Sequence, residues 1–162
     1  MSGRHPNWFH LGMLTLTSVR AFRELAGTEL GTSAWHEVTQ QRVNDFADAT
    51  DDHTAIHVDP ESARAAGLDG TIAHGLYTLS LGPKFLHEIY SLSGYSVALN
   101  YGFERVRFLS PVAIGSRVRM KAVMAQAEAI AGGTKFTLAE TFEIEGRDKP
   151  ACVADAVVAY FA

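Results

Sequence analysis

From residue 97 onward apolar side chains fall on every second position, whereas before it they recur at helical spacing. Val97, Leu99, Tyr101 and Phe103 alternate with smaller or polar residues, and then the apolar phase moves to Val106 and Phe108. A one-residue slip carries every side chain to the opposite face of a strand, so the shift predicts a bulge near Glu104. Ser110-Pro111 ends this strand. Val118, Met120, Ala122 and Met124 alternate with Arg117, Arg119 and Lys121, the pattern of a strand with one wet face. Gly132-Gly133 makes a turn, and Phe136, Leu138, Phe142 and Ile144 continue the alternation. After a turn at Gly146-Arg147-Asp148, Cys152 to Phe161 is apolar on both faces, as a central strand is.

Upstream, Thr17 to Leu25 places Val19, Phe22 and Leu25 at helical spacing, with Gly27 as the stop. The first dozen residues read as a loosely ordered tail, and residues 1–30 as an extension of uncertain order. Ser33 to Val38 is a short strand. Thr39 caps a helix whose Val43, Phe46, Ala47 and Thr50 share one face. Asp52 to Val58 is too short and too mixed for a regular element. Asp59-Pro60-Glu61 supplies the N-cap, first-turn proline and first-turn acid of a small helix ending at Gly67. Leu68-Asp69-Gly70 turns the chain. His74 to Tyr90 reads as one longer helix with Leu76, Leu79, Leu86, Ile89 and Tyr90 on one side. Gly82-Pro83 predicts a kink in it, because proline removes a backbone hydrogen bond and crowds the preceding turn.

One strand, a helical middle and four strands joined by short turns make an α+β chain. Such a meander closes as an antiparallel sheet of five or six strands curled around the long helix, the hotdog architecture, in a single domain over residues 1–162. One such sheet leaves an edge and a groove beside the helix. A homodimer, or a dimer of dimers, is the expected way to cover them.

Composition excludes more than it identifies. The 162 residues are enough for one domain with a sizeable core, and 47% hydrophobic with 20% charged residues is ordinary for a globular chain. A net charge of −4 gives no support for a nucleic-acid or membrane-surface partner. Phe9 to Val19 is apolar, but His10, Gly12 and several threonines make it too polar and short for a bilayer span, and it lacks a signal-peptide cleavage pattern. The lone Cys152 excludes an internal disulfide and fits a reducing compartment, so the expected location is the cytoplasm. There is no glycine-rich phosphate loop, no Gly-x-Ser-x-Gly elbow and no aromatic-basic RNA signature.

Candidate chemistry lies in Asp52-His53-Thr54-Ala55-Ile56-His57 and in Thr71-Ile72-Ala73-His74-Gly75. A carboxylate and an imidazole can share one water, the imidazole deprotonating it while the carboxylate orients it or holds a second proton. A glycine N–H at a helix start can receive the charge that builds on a carbonyl oxygen. Water activation beside a polarised carbonyl is the reading that joins them. The plainer alternative makes Asp52 a loop cap, His57 and His74 packed histidines, and Gly75 a relief of crowding. A metal site is a further alternative, since Asp51, Asp52, His53, His57, Asp59 and His74 are close in sequence and His53 and His57 are four apart. That pair lacks the adjacent glutamate and the helix that would hold it, so no metal is expected. Arg105, Arg107, Arg117, Arg119 and Lys121 read as coats of solvated strand faces. Some of them could meet phosphates of a bulky substrate. Glu140 interrupts an apolar alternation, as an edge position or a partner's charge would explain.

Asp52-x-x-x-Ile56-His57-Val58-Asp59-Pro60, followed by Ala73-His74-Gly75, resembles the MaoC-like dehydratases, which include the (R)-specific enoyl-thioester hydratases. The wording Thr71-Ile72-Ala73-His74-Gly75-x-x-Thr78-Leu79-Ser80-Leu81 is most similar to the branch of nodulation protein N. The resemblance runs from about Trp35 to the C-terminus. It implies Asp52 and His57 as the catalytic pair and the Gly75 N–H as the holder of the thioester oxygen. Thr54 and His74 are then candidates for positioning substrate or water. It further implies reversible hydration of trans-2-enoyl thioesters of coenzyme A or acyl carrier protein to (R)-3-hydroxyacyl thioesters, without a cofactor, by a hotdog dimer. Thr54 and Ala55 stand where the family usually has an amide and then proline or an aromatic, and Pro83 stands where some hydratases carry serine. A hotdog thioesterase and a non-catalytic acyl-thioester-binding protein are the rival readings.

Overall fold

Alternation and glycine turns in the second half fold as the sequence predicts, into long paired strands. A computed structural model of the chain describes residues 12–161, so the tail expected over the first dozen residues lies almost wholly outside the described residues. In chain order the elements are β1 (Leu14–Leu16), α1 (Val19–Arg23), β2 (Glu29–Thr32), β3 (His36–Glu37), α2 (Gln40–Thr50), α3 (Ala55–Val58) and α4 (Pro60–Ala65). Then come α5 (Gly75–Ser80), α6 (Gly82–Ile89), β4 (Tyr90–Leu92), β5 (Val97–Phe108), β6 (Arg117–Ile130), β7 (Gly133–Ile144) and β8 (Cys152–Phe161). A six-stranded sheet runs β2-β6-β7-β8-β5, with β3 also on β6, and its pairings are antiparallel. β1 and β4 form a separate parallel pair.

The core lies between the inner face of this sheet and α5–α6. Val118, Met120, Ala122 and Met124 are fully buried and stand opposite Ile144, Phe142, Glu140 and Leu138. Phe85 of α6 packs on Phe142, with ring centroids 6.3 Å apart. Each such large apolar side chain contributes about 1.5–3 kcal/mol by leaving water. Phe22 of α1 closes one end of the core against Phe136, Tyr90 and Tyr160.

The bulge falls where the apolar phase shifts. Phe103 pairs with Ala156 and Arg105 with Asp155, so Glu104 is the extra residue, and a second step leaves out Tyr101. Several expectations are corrected. The expected single helix from His74 to Tyr90 is two helices broken at Leu81, so Pro83 sits in the first turn of α6, where its missing N–H costs nothing. Leu76 is 61% exposed, because the buried arc of α5 is Tyr77, Thr78 and Leu79. The expected strand over Ser33 to Val38 shrinks to β3, two residues long, and β2, where no strand was expected, precedes it; both are borne by β6. One helical turn, α3, forms where no element was expected. β1 and β4, three residues each, carry too little pattern to be seen in sequence. Glu140 is not at an edge: β7 lies between β6 and β8, and the side chain is buried.

Candidate active site

α2 ends at Asp51, whose φ of 56° and ψ of 21° are left-handed, a conformation that aspartate tolerates better than most residues. The reversal turns the next residue out of the helix, with the Asp52 N–H donating to the Ala47 carbonyl at 3.1 Å. Asp52 Oδ1 accepts the Thr54 hydroxyl at 2.6 Å and the Thr54 N–H at 3.3 Å. Those bonds, the hydroxyl's first, hold the Asp52 carboxyl below its ordinary value, and it is ionised at neutral pH.

His57 lies on α3 with Nδ1 2.8 Å from the Ile72 carbonyl. A carbonyl only accepts, so Nδ1 carries a hydrogen, and in the neutral ring it is Nε2 that holds the lone pair a general base needs. Gln40 of α2 holds the two segments together. Its amide nitrogen donates to the His57 carbonyl at 2.8 Å, and its oxygen accepts the buried Thr71 hydroxyl at 2.5 Å. His74, 3% exposed, donates from Nε2 to the Asp52 carbonyl at 2.9 Å. Its ring packs on that of His57 at 3.8 Å between centroids and on Phe46 at 5.0 Å. His74 Nδ1 is the buried side-chain atom left without a hydrogen-bond partner among the described residues.

The structure thus gathers Asp52, His57 and His74: one donor or acceptor atom from each lies within 4.8 Å of the others. One water can span such a gap between the Asp52 carboxylate and His57. Thr54 faces Asp52 and acts on the site through it. His53 does not join them. It bonds Asp48 at 2.8 Å, and its four-residue spacing to His57 does not lie on one helix because α3 starts at Ala55. Asp59 is occupied in capping α4, accepting from the Glu61 N–H and the Ser62 hydroxyl. The gathered trio is close enough in spacing for a divalent ion, but one nitrogen of each of its two rings already donates to a carbonyl.

Gly75 begins α5, so its N–H has no acceptor within its own helix. A Cβ there would stand 2.9 Å from the Phe108 ring, so glycine gives α5 and that ring the room to approach this closely. His57, Ile72, Gly75, Thr78 and Phe108 line a cavity of about 330 Å³, completed by the Leu109–Val112 segment and Ala151. The sequence reading missed Phe108 and this segment as site residues. No local signal marks them, since they reach Gly75 only when the sheet closes. Of the basic residues on the strands, Arg105, Arg117, Arg119 and Lys121 pair with Asp155, Glu145, Glu143 and Glu29, while Arg107 donates to the Val106 carbonyl.

An antiparallel sheet folded around a central helix, with an acid and an imidazole gathered at that helix's start, defines a hotdog-fold protein. A MaoC like domain model matches residues 12–145, and the chain belongs to the MaoC-like family. It is 47% identical over 151 residues to 3-hydroxyacyl-thioester dehydratase Z of Mycobacterium tuberculosis, covering 93% of this chain and 100% of that one. Nodulation protein N of Rhizobium meliloti is 43% identical over 141 residues, covering 81% of this chain and 83% of its own. Among solved structures, the monoamine oxidase regulatory protein from Archaeoglobus superposes with a TM-score of 0.76 at 20% identity, covering 92% of this chain and 98% of that one. The (R)-hydratase from A. caviae involved in PHA biosynthesis does so at 0.67 and 22% identity, covering 82% and 94%. At those identities the likeness is one of fold.

Proposed function

We propose that the chain is an acyl-thioester hydro-lyase, interconverting trans-2-enoyl and (R)-3-hydroxyacyl thioesters of coenzyme A or acyl carrier protein. The observation that carries this is the Asp52 carboxylate and a His57 ring nitrogen lying within 4.8 Å of each other, with His57 and Gly75 lining one cavity. The 47% identity to a 3-hydroxyacyl-thioester dehydratase over nearly the whole of both chains supports it. In hydration, His57 Nε2 takes a proton from a water oriented by Asp52 as that oxygen bonds to C3. The C2=C3 electrons move to the thioester oxygen, where the Gly75 N–H stabilises the enolate by about 3–4 kcal/mol. The enolate then collapses with protonation at C2, by the proton that His57 received. Dehydration is the reverse. The step needs no cofactor beyond the thioester itself.

A thioesterase would direct the same water at the carbonyl. Purified protein incubated with crotonyl-CoA separates the two: loss of enoyl absorbance without free thiol is expected. Thiol release without hydration makes the protein a thioesterase, and tight acyl binding without either makes it a binding protein.

The functional unit in this reading is a homodimer. Among the described residues β5 pairs on one side only, leaving a free edge, and its Val97, Leu99, Tyr101, Phe103 and Phe108 are between 40% and 52% exposed. So long an apolar edge in water invites pairing, and a second copy would extend the sheet across it. Among the described residues no helix is long and apolar enough to cross a membrane. With its single cysteine buried and reduced, the chain fits the cytoplasm.

A further inference from the structure

Two cavities follow one another along the same seam between helix and sheet. The first is bounded by the start of α5, the end of β5 and the residue before β8. The second, about 160 Å³, is bounded by Leu79, Pro83 and Leu86 of α5–α6, Phe103 further back on β5, and Ala156 and Val158 of β8. From Gly75 to Gly82 is about 10 Å at 1.5 Å per helical residue, the reach of a medium-length acyl chain. An acyl group held by its thioester at Gly75 and running along the seam would reach the second cavity.

That cavity is not uniformly apolar. Glu140 lines it from β7, and so do Tyr90 and Tyr160, whose hydroxyls are bonded to each other at 2.7 Å. Glu140 is 3% exposed, and among the described residues no hydrogen bond or ion pair reaches its carboxyl. Burial alone pushes it up to about 7. Its oxygens are nonetheless not sealed in protein. Room for the carboxyl comes from small neighbours: Ala122 faces it across the strands, and a Cβ at Gly82 would stand 3.3 Å from Oε2. A buried polar group left without a partner is costly and uncommon, and one opening into a cavity is placed to find its partner in what fills it.

We propose that the second cavity is a subsite for the far end of the acyl chain, and that Glu140 selects thioesters whose tail carries a hydroxyl group there. This rests on the reading of the first cavity as the thioester site. A hydroxyl both donates and accepts, so it can bond the carboxyl in either protonation state, and the tyrosine pair offers a second contact. A plain hydrocarbon tail would leave Glu140 dry and unpaired. An ammonium tail would pair with it only after losing its own hydration in a closed, apolar space.

Calorimetric binding of octanoyl-CoA, ω-hydroxyoctanoyl-CoA and ω-aminooctanoyl-CoA to the full chain tests this, with crotonyl-CoA hydration measured on the same preparation. The hydroxylated ligand should bind at least ten-fold more tightly than the plain one. Glu140→Leu should reverse that order and Glu140→Gln should keep it. Should the leucine variant not fold, Glu140→Met gives the same comparison. Plain tails binding as tightly as hydroxylated ones, amino tails binding tightest, or a hydroxyl preference that survives Glu140→Leu would each overturn the subsite. Hydration of crotonyl-CoA without tail preference removes the subsite and leaves the hydro-lyase. Tail preference without hydration removes the hydro-lyase and leaves the subsite.

Discussion

Thr54 turns its hydroxyl onto Asp52 Oδ1, so its part in the site runs through the carboxylate rather than through water or substrate. It keeps Asp52 ionised and aimed, as an amide at that position could do from further away. His57 is fixed just as locally: the Ile72 carbonyl takes the Nδ1 hydrogen, and the His74 ring backs its plane. Both side chains stand outside the buried core. Asp52→Asn and His57→Gln should therefore each lower crotonyl-CoA hydration by about 10²–10⁴-fold, with little change in melting temperature. Near-wild-type turnover in either variant would remove that residue from the mechanism, and inactivity that accompanies unfolding would reassign it to structure. The Asp52, His57 and His74 donors lie close enough for a metal, so the metal-free mechanism has its own test. Hydration should persist after exhaustive chelation. Activity lost to EDTA and restored by zinc would overturn the metal-free proposal.

At the level of elements, the site depends on the close approach of α5 to the end of β5. Gly75→Ala would drive a methyl into the Phe108 ring, which is half exposed and able to swing away. The helix should survive, but the cavity wall and the N–H would move. Hydration is expected to fall about 100-fold or more, in line with loss of an oxyanion donor, while the melting temperature shifts by only a few degrees. Unchanged kinetics would show that Gly75 serves packing alone. β7 carries a different liability in Glu140. Between pH 4.5 and about 7 the folded chain keeps a proton on this carboxyl that the unfolded chain releases. Stability should therefore fall as pH rises through that window, by about 1.36 kcal/mol per pH unit at the steepest and about 3 kcal/mol in all at most. Melting curves of the wild type and Glu140→Gln across this range should diverge, the variant losing the fall. Parallel curves would mean that Glu140 titrates as an ordinary carboxyl.

For the molecule as a whole, the free edge of β5 is the surface that asks for a partner. Leu76 of α5, next to Gly75 in the chain, is also exposed. Sedimentation should give a dimer, and Tyr101→Lys, at a side chain 52% exposed, should weaken it by placing charge on the shared edge. A wild-type monomer at micromolar concentration would reject the edge-to-edge assembly. Cross-strand ion pairs such as Arg117 with Glu145 are exposed and contribute little to stability. They do account for basic residues that would otherwise be free to meet phosphates.

The sequence by itself determined what depends on neighbours along the chain. Period-two alternation placed β5 to β8, and a break in that phase located the bulge at Glu104. Capping residues at Thr39 and Asp59 placed the starts of α2 and α4. Asp52 and His57 could be singled out because five positions in one loop already limit how far apart they can lie. Tertiary closure decided what depends on residues distant in sequence. Phe108 meets Gly75, and His74 covers His57, only once the sheet has wrapped the helices. Glu140 looked like an edge residue because a charge in an apolar alternation reads as solvent. Only the strand order, with β6 and β8 on either side and Ala122 and Gly82 leaving room, made it a buried carboxyl facing a cavity. Local pattern fixes which face a side chain takes, but what it meets there is set by which strands lie alongside.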